Sequence, residues 1–173
     1  MGFSKVRADH EARYVSEYVA NMTKGSIVKL RCPLGAAPEE FIKIMGLRKA
    51  LRFYRPYRPE VDACIIESDK IIVIEGKIMK VMDGISKLII YRDLVPSTPE
   101  LVAYKSLPVE ARLITPKPPM WLTDVAKKHN IKVDIYLPEW LSEYYEQQEM
   151  YWSAGERLKR ETRKKTLERL GYK

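Results

Sequence analysis

A chain of 173 residues is long enough for one domain with a buried core and too short for two full domains. Apolar residues make up 46% and charged residues 31%, which excludes the sparse hydrophobicity of disordered chains. The net charge of +8 favours a polyanionic partner, nucleic acid first, because basic surface releases counterions from a phosphate backbone, although the same charge also serves solubility.

Only Cys32 and Cys64 occur, with His10 and His129 to join them, so a zinc site or thiolate-held cluster lacks ligands and any metal must be held by oxygen. Both cysteines lie in apolar, strand-like runs, where a buried reduced thiol in a reducing compartment is expected. The start, MGFSKVRADHEARYV, has no apolar stretch of signal-peptide length, and no run approaches the roughly 20 apolar residues of a membrane span. The expectation is an intracellular, cytoplasmic, non-secreted protein with no membrane partner; a viral origin is left open.

In chain order, Asp9 is read as the cap of a first helix carrying Ala12, Val15, Tyr18, Val19 and Met22, stopped at Gly25. Residues 26–34 read as a short strand before Pro33, Gly35 and Pro38, and residues 39–51 as a short helix. The stretch RKALRFYRPYRP holds five cations among three aromatics, and its prolines favour an extended path. VDACIIES and KIIVIEGKIM are rich in β-branched residues and read as a hairpin turning at Asp69. A helical period from Asp83 to Val95 ends before Pro96 and Pro99; then VEARLIT reads as a strand, TDVAKKHN as a short helix and IKVDIYLP as a closing strand.

That order, helix, three or four strands, helix, strand, helix, strand, implies an α/β fold: a mixed central sheet flanked by helices. From Glu139 onward nothing breaks a helix until Gly155, which costs only about 1 kcal/mol. Residues 1–138 are therefore read as the folded domain and 139–173 as a long, charged C-terminal helix. Residues 153–173 hold eight Lys or Arg against three Glu, most simply a solvated face, less commonly an arm for phosphate or for a second copy of the chain.

Glu75 closes an otherwise apolar run, where a carboxylate without a partner costs several kcal/mol. Strand alternation puts Lys77 on the same face, and a short hairpin brings Asp62 beside Glu75. Two carboxylates and an ammonium are the set that phosphodiester hydrolysis asks for: hard oxygens hold Mg²⁺, the metal acidifies a water, and the lysine orients that water or meets developing charge. An ordinary strand ion pair between Glu75 and Lys77 is the plain alternative.

RPEVD at 58–62 followed by IEGK at 74–77 resembles the PD-(D/E)XK nuclease superfamily, whose core is helix, three strands, helix, strand. The resemblance implies a restriction-endonuclease-like fold, a Mg²⁺ cofactor for which Mn²⁺ can substitute, metal ligation by Asp62 and Glu75, and a catalytic Lys77. The proline stands at Pro59, displaced from its usual place directly before the aspartate. Many members carry a metal-organising Glu on the first helix, a place Glu11 fits; some exonuclease branches carry Gln and Tyr four apart on the helix after the lysine strand, where Lys87 and Tyr91 stand here.

The expectation is thus a Mg²⁺-dependent hydrolase of DNA, endonuclease or exonuclease, with Arg52, Arg55 and Arg58 on phosphates and Phe53, Tyr54 and Tyr57 stacking on bases. Two alternatives stand beside it. One is a nuclease-like fold serving as a structural or assembly component of a virus particle or DNA-processing complex, oligomeric through its C-terminal helix. The other is a DNA-binding protein without cleavage.

Overall fold

The computed structural model describes residues 3–23, with side chains from residue 10, together with 25–146 and positions 158, 162 and 166. Five strands form one mixed sheet in sequence order: β1 (Ile27–Pro33), β2 (Glu60–Ile66), β3 (Ile71–Gly76), β4 (Val109–Thr115) and β5 (Ile131–Ile135). β1, β2 and β3 pair antiparallel, while β3, β4 and β5 pair parallel. The connections explain the change of sense. The β2–β3 turn is short, closed by the Glu67 N–H donating to Lys70 O at 2.9 Å, whereas each parallel step needs a crossover helix: α4 (Val81–Leu94) after β3 and α5 (Met120–Lys128) after β4.

Every residue of β3 is buried, as suits an apolar run covered on both faces. On one side Cys64, Ile71, Val73, Ala111 and Leu113 pack with Leu88 of α4 and with Leu122 and Ala126 of α5. The other side meets α1 (Phe3–Met22), which buries Tyr14, Val15, Tyr18 and Val19. A Cβ on Gly76 would lie 2.4 Å from Val15 Cγ2, so the bare glycine lets α1 settle onto the end of β3.

Three expectations are corrected. α1 begins at Phe3 rather than at an Asp9 cap; residues 3–8 contain no helix breaker, so nothing stops the helix from extending past Asp9. The single short helix over 39–51 is two, α2 (Glu39–Met45) and α3 (Leu47–Tyr54), parted by Gly46 at φ 79°. RKALRFYRPYRP is not extended: its first half is α3 and Arg55–Tyr57 form a 3₁₀ turn. Pro56 falls in the first turn of the 3₁₀ element, where its missing N–H has no partner to lose, and Arg55 before it keeps helical angles of φ −49° and ψ −42°.

Cys32 and Cys64 are free and buried, and burial pushes the Cys64 thiol up to about 12. Among the described residues no helix is long and apolar enough to cross a membrane. Compact packing divides the chain after Tyr136. In the second unit residues 140–146 are helical, as are positions 158, 162 and 166; the rest of the long C-terminal helix expected from the sequence lies outside the described residues.

Candidate active site

Ala63 pairs with Ile74, and that antiparallel register continued by one step sets Asp62 across from Glu75. The Gly76 N–H donates to Asp62 Oδ2 at 2.9 Å, which locks the aspartate onto the peptide after Glu75. Beyond the end of β3 the chain stays extended, because the Lys77 N–H donates to Ile114 O of β4 at 2.9 Å. Lys77 thereby returns to the face of Glu75, and its Nζ lies 3.0 Å from Glu75 Oε1. From α1, Glu11 Oε2 accepts from the same ammonium at 3.3 Å. Lys87, on the second turn of α4, donates to Glu75 Oε1 at 2.6 Å.

Three carboxylates and two ammoniums therefore share the end of the sheet where β3 meets β2. Glu11, Asp62, Lys77 and Lys87 line a cleft of about 280 Å³ together with Arg31 and Glu60; Glu75 stands behind them, fully buried. Its Oε1 receives both lysines, but its Oε2 is buried with no hydrogen-bond partner among the described residues. Burial, with the Glu75 charge beside it, pushes the Asp62 carboxyl up to about 6, against the opposing pull of the Gly76 N–H and the lysines. Burial works against the Lys77 and Lys87 ammoniums, but the carboxylates outweigh it and hold both pKa values above the ordinary lysine value. Both lysines are cations at neutral pH and serve as donors, not bases.

The other expected residues divide. Tyr91 is buried, and its hydroxyl donates to Glu60 O at 3.1 Å, so it anchors the start of β2 and does not face the cleft. Burial and the charges of Glu75 and Asp62 raise its pKa, keeping it a neutral phenol. Arg58 is buried: its guanidinium donates to Glu100 at 2.7 and 2.6 Å and to Pro33 O at 2.9 Å. Those donors tie β1 and β2 to the segment after α4, and with its side chain only 3% exposed the guanidinium is closed off from a phosphate in this conformation. Arg52 and Arg55 are exposed, Arg55 Nη2 lying 3.5 Å from Glu60 Oε2.

Arg31 and Glu60 belong to the cleft and were missed in the sequence. Arg31 has φ 52°, a left-handed value that is uncommon for a residue with a side chain and that concentrates at functional sites. In the β1–β2 ladder Leu30 pairs with Ala63 and Cys32 with Val61, so the kink falls opposite Asp62. Arg31 Nε donates to Glu60 Oε1 at 2.8 Å. Nothing in KLRCP signals the kink.

Among the described residues no three acidic, histidine or cysteine side chains approach closely enough to form an ion cage by themselves. Two carboxylates, waters and a substrate phosphate are what Mg²⁺ ordinarily takes. Asp62 at the cleft and the buried Oε2 of Glu75 behind it, unpartnered among the described residues, are the two carboxylates that could serve such an ion. No family model matches the chain, and no curated protein does.

Proposed function

We propose that this protein is a metal-dependent nuclease of PD-(D/E)XK type that hydrolyses DNA phosphodiester bonds. The observation that carries the reading is the convergence of Asp62, Glu75 and Lys77 at one end of the sheet beside a cleft, with Glu75 Oε2 buried and lacking a partner among the described residues. An oxygen left so costs on the order of 1–3 kcal/mol, which a bound cation offsets.

Asp62 and Glu75 would hold Mg²⁺ or Mn²⁺, which supplies an acidified water and neutralises charge on the reacting phosphate. Glu11 holds Lys77 by its ammonium and so fixes the direction of that donor. Lys77, charged at neutral pH, donates to the attacking water or to the phosphate oxygen that gains charge. Lys87 holds Glu75 and presents a second cation to the cleft. Tyr91 is a positioning residue, acting through Glu60.

The test incubates linear, circular and single-stranded DNA with Mn²⁺, Mg²⁺ or EDTA. Cleavage should require metal, and Asp62→Asn, Glu75→Gln and Lys77→Ala should each lower it by roughly a hundredfold or more. Intact substrates under every divalent metal sink the proposal.

One observation favours a second reading. Both ammoniums on Glu75 Oε1 already balance much of the carboxylate charge, as suits a nuclease-like scaffold that serves as an assembly component and cleaves nothing. Calorimetry separates the two readings: Mn²⁺ binding abolished by Asp62→Asn supports the nuclease, and no Mn²⁺ binding supports the scaffold.

A further inference from the structure

The segment between β1 and β2 leaves the sheet and returns as α2, α3 and a 3₁₀ turn. The two helices bury almost nothing: α2 has no buried residue, and α3 has only Ala50. Phe53 and Tyr57 are 57% and 75% exposed, a large amount of open aromatic surface for so short a stretch. They do not stand alone. Phe41 stacks on Phe53 with ring centroids 5.7 Å apart and planes 19° apart, Phe41 meets Tyr54 at 5.2 Å, and Tyr54 meets Tyr57 at 5.3 Å. The half-buried Phe41 and Tyr54 thus brace two exposed rings in a row.

Charge says what covers the row. Residues 39–57 hold five cations, Lys43, Arg48, Lys49, Arg52 and Arg55, against Glu39 and Glu40, and all five cations are exposed. Exposed rings among cations match a strand whose bases are unpaired: the bases stack on the rings and the phosphates meet the cations. In a duplex the base faces are covered by their neighbours, so the rings gain nothing there. The row also leads to the cleft, since Arg55 lies 3.5 Å from Glu60 and Glu60, which lines the cleft, accepts from Arg31 at 2.8 Å.

We infer that Phe53 and Tyr57, braced by Phe41 and Tyr54 and flanked by Arg52 and Arg55, form a stacking platform for single-stranded nucleic acid that feeds a strand toward the Asp62 cleft. Delivery to the cleft rests on the nuclease reading; binding to the platform does not. The substrate class that follows is a strand with free bases, such as a frayed end or a gap.

The experiment titrates fluorescent oligo(dT), the same strand annealed to oligo(dA), and vesicles of anionic phospholipid with the full chain in EDTA, where no cleavage proceeds. Oligo(dT) should bind more tightly than the duplex at equal salt. Phe53→Ala and Tyr57→Ala should each weaken oligo(dT) roughly tenfold and leave the duplex within about twofold, while Tyr57→Phe keeps its affinity. Circular dichroism checks that the variants fold. Equal binding of strand and duplex, or ring variants without effect, overturns the platform in favour of unspecific charge attraction. Vesicles that bind the patch and displace oligo(dT) overturn it in favour of a lipid surface. Ring-dependent oligo(dT) binding without cleavage under any metal keeps the platform and sinks the nuclease; cleavage with ring-independent binding does the reverse.

Discussion

Asp62 is the group whose titration reports most directly on the cleft. Its carboxyl sits at about 6 in the folded chain against about 3.9 when unfolded, so the folded state holds that proton more tightly. The resulting stability is fully present below about pH 4 and is lost as pH rises through about 6. Asp62→Asn keeps an oxygen for the Gly76 N–H but removes the cost of burying a charge and the repulsion from Glu75. In EDTA the variant should therefore exceed wild type by up to about 3 kcal/mol at pH 7.5 and converge with it below pH 4, as read from urea melts across that range. Mn²⁺ should reverse the order by stabilising only the wild type. A difference independent of pH would remove the strained carboxylate from the account.

The same scale shows what the sequence could disclose. Glu75 was legible because a carboxylate closing an apolar run demands compensation, and Lys77 because strand alternation supplies it on the same face. Arg31 was not, because its kink falls at a gap in the β1–β2 register opposite Asp62, which only the partner strand defines. Nor could the cations of RKALRFYRPYRP be told apart: burial of Arg58 depends on Glu100, which reaches it from 42 residues further along the chain.

At the scale of elements, the seat of α1 on β3 fixes whether Glu11 reaches Lys77. Gly76 leaves room for Val15 Cγ2, which an added Cβ would meet at 2.4 Å, and a β-branched side chain has little freedom to turn away. Gly76→Ala should push α1 outward, cost about 1–3 kcal/mol and weaken cleavage by loosening the Glu11–Lys77 pair. Combining it with Val15→Ala should restore part of the stability, a coupling measurable by a double-mutant cycle. Strict additivity would sink the close-approach explanation. The glycine's role was hidden because strand patterning identifies a neighbour's face, not the neighbour. The hairpin and the crossover through α4 are open to reading, since β-branched runs and a helical period are local signals; α3 is hidden because the prolines that follow it signal an extended path as readily as the end of a helix.

For the whole molecule the question is where its charge acts. Residues 153–173 carry a net +5, but Glu139, Glu143, Glu146 and Glu149 offset four of these charges, so the basic run at the end of the chain stands apart from a first unit that itself carries +7. The two regions call for different dependences on salt. Charge attraction depends on the number of phosphates neutralised, whatever the bases, and weakens as salt rises; ring stacking adds affinity only for unpaired bases. Replacing Arg157, Lys159, Arg160, Lys164 and Lys165 with Gln should lower affinity for duplex and single strand together. It should also flatten the dependence of log K on log salt by up to about one unit for each phosphate no longer neutralised. Phe53→Ala should leave that slope unchanged and lower only the single-strand curve. If the tail substitutions leave both slopes intact, nucleic acid is met by cations of residues 1–136, which carry a net +7, and not by the basic end of the chain.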